Sequence, residues 1–164
     1  MRIIEDADLE SKNVLLRTDL NLPVEDGEPQ RTVRFKRYLK TIEELSGRNA
    51  KVVVMAHQGR PGRKDFMSLE KHSELLSDSL DQQVKFVPDF FGPEVKNTIE
   101  NMEEGEVALI ENIRFLSEEL RNASPAQHAQ DIFVIKLAPM FDIYVDDAFS
   151  AAHRSHGSMV GFTE

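Results

Sequence analysis

Four short stretches concentrate side chains that handle anions and hydroxyl groups: Arg17-Thr18-Asp19-Leu20-Asn21-Leu22-Pro23, His57-Gln58-Gly59-Arg60-Pro61, Glu111-Asn112-Ile113-Arg114-Phe115, and Asp146-Asp147-Ala148-Phe149 running on to His153-Arg154-Ser155-His156. Arginine presents a planar fork of donors that matches carboxylate and phosphate oxygens. A glycine at position 59 would let backbone N–H groups approach a phosphate closely. Asp19 and Asn21, two positions apart, suit hydroxyl groups better than an anion. Arg34 stands in the first turn of a helical pattern, where the macrodipole disfavours a cation, so a ligand or a partner carboxylate would explain it. Together these residues describe a pocket for a small molecule bearing hydroxyls plus carboxylate or phosphate.

Each residue also has a plainer reading. Arg60 could be a solvated loop residue, Arg114 could pair with Glu111, and His57 could be a packing histidine. Asp19 and Asn21 could cap the turn before Pro23. Convergence on one edge of a sheet separates the two readings, and that depends on the elements that carry the stretches.

Short apolar, β-branched runs predict strands at Asn13 to Arg17, Lys51 to Met55, Val84 to Val87, Val107 to Ile110 and Asp142 to Val145. Helical patterns lie between them. Arg34 to Leu45 puts Phe35, Tyr38, Leu39, Ile42 and Leu45 on one face, with Thr32 as N-cap and Gly47 as stop. Ser68 to Leu80, Pro93 to Met102 and Ala126 to Leu137 follow, the last carrying Ile132, Phe133, Ile135 and Leu137. Strands alternating with such helices predict βαβ units, a parallel sheet and a three-layer, Rossmann-like α/β domain. In such sheets ligands bind beyond the carboxyl ends of the strands, which is where the four stretches fall.

Length and composition agree with one domain over residues 1–164. The chain is 40% hydrophobic and 30% charged, and a core of useful size is within its reach. The absence of cysteine removes disulfides and thiolate chemistry. A net charge of −9 argues against nucleic-acid binding. No apolar run is long enough for a membrane span, and Glu5 and Asp6 interrupt any signal-peptide pattern, so a cytoplasmic location is expected. Neither G-x-x-x-x-G-K-[ST] nor G-x-G-x-x-G occurs, so no recognisable nucleotide site lies in the chain.

Taken in order, the stretches resemble the N-terminal domain of the phosphoglycerate kinase family. The family's R-x-D-x-N-x-P segment matches Arg17 to Pro23, its arginine-bearing helix start matches Thr32 to Phe35, and H-x-G-R-P matches His57 to Pro61. E-N-x-R-F matches Glu111 to Phe115, and the N-D-A-F-x-x-A-H-R segment matches Asp146 to Arg154. The resemblance covers nearly the whole chain. It implies binding of 3-phosphoglycerate or 1,3-bisphosphoglycerate through Asp19, Leu20, Asn21, Arg34, His57, Gln58, Gly59, Arg60, Arg114 and Arg154, with Arg34 catalytic. It implies reversible phosphoryl transfer with ATP, a reaction of glycolysis and gluconeogenesis. Mg-ATP or ADP would sit on a C-terminal domain absent from this chain, leaving no cofactor or metal here and no activity for the chain alone. The remaining expectations are contact with that domain, no membrane or nucleic-acid partner, and a monomeric whole protein. Leu20, Gln58 and Asp146 depart from the usual family residues, and the roles of Asp146 and His156 stay open. Gln58 with Ser155-His156 is closest to the archaeal branch. Gly161-Phe162-Thr163-Glu164, with no covering helix after it, reads as a fragment boundary.

Two other readings of the same residues remain. Thr18 to Asn21 resembles the D-x-D of haloacid-dehalogenase phosphatases, although Asn21 cannot serve as their acid/base. His153 and His156 with Asp146 or Asp147 could form a metal site, although Arg154 stands among them. A non-catalytic anion-binding module is the last alternative.

Overall fold

The computed structural model describes residues 3–163; Met1, Arg2 and Glu164, which enter the signal-peptide and chain-end readings above, lie outside it. Five strands form one parallel sheet: β1 (Asn13–Arg17), β4 (Lys51–Met55), β5 (Val84–Val87), β6 (Val107–Ile110) and β7 (Ile143–Asp146), in the order β5-β6-β4-β1-β7. Every pairing within it is parallel. The first four strands have the predicted bounds. β7 begins one residue late because Asp142 stays outside the ladder, its carboxylate accepting the Asn13 N–H at 2.8 Å. It ends one residue late because Asp146 pairs with Arg17.

Strand order also decides which face each helix covers. The steps β1→β4 and β4→β5 move the same way across the sheet, and α1 (Val33–Gly47) and α2 (Glu70–Leu80) cover one face. The steps β5→β6 and β6→β7 reverse that direction. Right-handed crossovers then place α3 (Pro93–Asn101) and α5 (Ile132–Leu137) on the other face. Two cores result. Val14, Leu16, Val52, Val54 and Leu109 pack with Phe35, Leu39, Ile42 and Leu45; Leu15, Val53, Met55 and Ile110 pack with Val95, Ile99, Phe133 and Leu137. This is the expected three-layer α/β architecture.

All five apolar residues expected on the inner face of α1 are buried, and Thr32 Oγ1 accepts the Phe35 N–H at 3.1 Å. Each such side chain contributes about 1.5–3 kcal/mol by burial. Gly47 ends the helix, but the left-handed residue that turns the chain is Asn49 (φ +62°). Ser68 lies outside α2 and still accepts the Glu70 N–H at 3.2 Å. α3 stops one residue before Met102.

The expected helix from Ala126 to Leu137 is instead two: α4 (Pro125–His128) and α5. Asp131 separates them with extended backbone, and its carboxylate is held by Arg121 at 2.5 Å and His128 at 2.7 Å. Those side-chain bonds outweigh helix continuation. As a consequence Ile132 and Ile135 face outward while Phe133, Val134 and Leu137 are buried. A hairpin of β2 (Val24–Glu25) and β3 (Glu28–Pro29) was not anticipated. Its signal was Asp26-Gly27, both left-handed (φ +50° and +79°), a tight-turn pair. A last short helix, α6 (Gly157–Val160), follows the loop after β7. No helix among the described residues is long and apolar enough to cross a membrane.

Candidate anion-binding site

The carboxyl ends of β1, β4, β6 and β7 lie side by side, so Arg17, His57, Arg114 and Arg154 reach one edge of the sheet from distant points of the chain. Arg17 is fully buried. Its Nη2 donates to His57 Nδ1 at 2.9 Å, its Nε to Ser158 Oγ at 2.9 Å, and its Nη1 to the Thr18 carbonyl. Arg114 is buried as well, with Nη1 donating to the Gly59 carbonyl at 2.6 Å and Nε lacking a partner. Among the described residues neither guanidinium has a carboxylate within 4.0 Å. Glu111, the plainer partner for Arg114, instead accepts the Leu69 and Asn112 N–H groups. Buried cations without adjacent counter-charges are costly unless an anion completes them.

Electrostatics follow from this crowding. Burial, then the charges of Arg17 and Arg114, push the His57 imidazole down to about 2. A guanidinium has only donors, so the neutral ring accepts from Arg17 at Nδ1 and keeps its proton on Nε2. Burial lowers Arg114 to about 10, with Arg154, Arg17 and Arg60 acting in the same direction and Glu119 against. His156 falls to about 4 for similar reasons: burial first, then Arg114 and Arg154.

Asp19 and Arg34 make the adjoining wall. Asp19 is almost wholly buried; its carboxylate accepts the Asn21 N–H at 3.0 Å and the Ser150 hydroxyl. Arg34 is two-thirds exposed and reaches Asp19 only at 3.9 Å, so the nearest carboxylate leaves it mostly uncommitted. A cavity of about 510 Å³ beside it is lined by Arg34, Arg37, Tyr38, Asp147, Phe149 and Ser150, and leaves out the His57–Arg114 cluster.

Several of the expected site residues have partners within the protein. The Gly59 N–H donates to Asn21 Oδ1 at 2.8 Å. Glycine is needed there because φ is +68° and a Cβ would lie 2.4 Å from the Asp65 carbonyl oxygen. Leu20 and Gln58 are fully buried. The Gln58 side chain clamps Leu22, accepting its N–H at 2.9 Å and donating to its carbonyl at 3.1 Å, and the backbone of Gln58 is bonded by Asn112. Gln58 thereby joins the two loops from behind, and Leu20 belongs to the core beneath them. Arg60 is exposed at the rim, and Arg154 is half-buried beside His153. Asp146, left open, accepts the Ala148 N–H at 2.9 Å, and burial raises it. His153 and His156 diverge: the first lies against Arg154, the second 3.7 Å from Glu119. Among the described residues no three His, Asp or Glu are grouped to hold a metal. Asn112, Glu119 and Ser158 escaped the sequence reading; all three are fully buried polar residues supporting the site.

The depressed histidines give a pH dependence with a definite sign. His57, His72 (about 4) and His156 bind protons less well folded than at the ordinary value of 6.5. Their contribution to stability is therefore complete above that value and lost as pH falls. Glu119, Asp146 and Asp147, raised by burial, act in the opposite direction. The melting temperature is expected to fall between pH 7 and pH 5; a rise over that interval in a thermal scan would contradict the buried, neutral imidazoles.

The phosphoglycerate kinase family profile matches residues 4–164. The phosphoglycerate kinase of Methanopyrus kandleri is 52% identical over 160 residues, which is 98% of this chain and 39% of that protein. That of Saccharolobus solfataricus is 49% identical, covering 97% and 39%. The crystal structure of phosphoglycerate kinase from Pyrococcus horikoshii superposes with a TM-score of 0.95 at 42% identity, over 99% of this chain and 40% of that one. The structure from Coxiella burnetii gives 0.76 at 31%. The chain thus spans about two-fifths of the length of the proteins it matches.

Proposed function

Since the chain belongs to the phosphoglycerate kinase family, we propose that its basic sheet edge binds 3-phosphoglycerate for reversible phosphoryl transfer with ATP, giving 1,3-bisphosphoglycerate. The observation that carries this is Arg114, a buried guanidinium whose Nε lacks a partner and which has no carboxylate within 4.0 Å among the described residues. A phosphorylated carboxylate supplies the charge it lacks. Arg114, Arg60 and Arg154 face that charge with the His57 Nε2–H as a neutral donor, while Asp19 and Asn21 meet hydroxyl and carboxylate oxygens. Arg34, exposed and loosely tethered, neutralises charge on the transferring phosphoryl group. Chemistry of this kind rests on positioning and electrostatics more than on covalent participation.

The residues here do not fit Mg-ATP. No G-x-x-x-x-G-K-[ST] loop occurs, and no metal-holding group is present among the described residues. In this reading nucleotide and Mg²⁺ belong to the remainder of the whole protein, a second domain that closes on this one, and no step is derived through them. The whole protein is proposed to act as a monomer in the cytoplasm, in glycolysis and gluconeogenesis. Calorimetry tests the reading: the chain is expected to bind 3-phosphoglycerate weakly, in the millimolar range, and ATP not at all. A folded chain that shows no heat with millimolar 3-phosphoglycerate would remove the site.

A further inference from the structure

Arg17 is too deeply buried to touch a ligand, yet each of its three side-chain nitrogens has a partner. Its counter-charge lies one hydroxyl away. Ser158 Oγ accepts from Arg17 Nε and donates to Glu119 Oε1 at 2.8 Å, while the Ser158 N–H donates to Glu119 Oε2 at 2.7 Å. Glu119 is itself fully buried, in a Ser-Glu-Glu-Leu run that reads as solvated. A carboxylate has only acceptors and a guanidinium only donors, so the direction of each hydrogen bond from Glu119 to His57 is fixed.

We propose that Glu119, acting through Ser158, is a positioning residue that aims Arg17 and thereby locks His57 in the Nε2–H form facing the anion. The functional part rests on the 3-phosphoglycerate reading; the relay does not. Chains of hydrogen bonds polarise one another in a low-dielectric interior, which strengthens the hold of the distant carboxylate on the guanidinium. Arg114, whose charge is felt at Glu119, and His156, 3.7 Å from it, flank the same carboxylate. Without the hydroxyl, Arg17 Nε loses its acceptor, the guanidinium can turn, and His57 Nδ1 loses the donor that keeps it unprotonated. A clamp that merely tied Glu119 to α6 would leave the His57 tautomer untouched.

Ring ¹⁵N NMR of the chain at neutral pH separates the two. The native protein is expected to show His57 with Nδ1 unprotonated and Nε2 protonated. In Ser158→Ala, and in Glu119→Gln, both nitrogens should move toward tautomer averaging. The dissociation constant for 3-phosphoglycerate, followed on the same resonance, should rise about tenfold. Ser158→Ala keeps the Ser158 N–H bond to Glu119, so it carries the test if Glu119→Gln does not fold. A folded Ser158→Ala with a native His57 tautomer overturns the relay. A changed tautomer with unchanged affinity upholds the relay and overturns the part of the proposal that has His57 facing the anion, whereas a native chain that does not bind 3-phosphoglycerate at all overturns the reading of the site and leaves the relay standing.

Discussion

Replacing Arg34 with alanine in the whole protein is expected to lower kcat by on the order of 10³-fold or more, the range of a positively charged finger at a transferring phosphoryl group, with little change in KM for 3-phosphoglycerate. The reasons are visible in how little else holds the residue. Its side chain is 65% exposed and its nearest carboxylate oxygen is 3.9 Å away. The start of α1 is secured by Thr32 and by the apolar face from Phe35 to Leu45, none of which involves the guanidinium. A cation in a first helical turn opposes the macrodipole, so its removal should leave the melting temperature unchanged or slightly raised. An interaction made only in the transition state lowers kcat and kcat/KM together. Steady-state kinetics with both substrates varied decide the matter: if KM rises as much as kcat falls, Arg34 is a ground-state contact and its catalytic assignment is lost.

The largest effect on stability is expected at Asn112. Its amide is fully buried and makes four bonds to the loops around the site. Oδ1 accepts the N–H of Gln58 at 3.3 Å and of Arg114 at 3.2 Å; Nδ2 donates to the carbonyls of Gln58 and Met67, both at 2.8 Å. Asn112→Ala strands those groups, each unsatisfied buried partner costing about 1–3 kcal/mol. A total loss of about 3–5 kcal/mol follows, allowing for water entering part of the space. With a urea slope of about 2 kcal/mol/M, the midpoint should drop by roughly 2 M. A shift below about 0.5 M would mean that the two loops are held by something other than this amide.

Much of the frame was legible because the signals behind it are local. Val52-Val53-Val54-Met55 can hardly be anything but a strand buried on both faces, and the period of Phe35, Leu39 and Ile42 makes one helix face. The anion-handling residues were legible for a related reason: a parallel sheet brings its strand ends to one edge, whatever the intervening sequence. What escaped depends on contacts remote in the chain. Asp131 breaks a helix because Arg121, outside the Ala126 to Leu137 window, reaches it together with His128 inside it. Gln58 and Gly59 bond to Leu22 and Asn21 in another loop, which their residue types alone do not reveal. Glu119 looks solvated until the fold closes over it. The hairpin at Asp26-Gly27, by contrast, was written locally and passed over.

The place of β7 has a consequence for how such a chain comes into being. Val14 pairs with Ile143, and Arg17 needs Ser158. During synthesis β1 therefore waits for residues as far as 141 positions further on before its flank is filled and its buried cation is satisfied. Helical pairs in between can form as they appear, but the ligand site cannot exist in any nascent chain shorter than about position 158. Long-range parallel pairing of this kind is slow to form, so a ribosome-bound intermediate would carry an open sheet edge and an Arg17 whose Nε still lacks its acceptor.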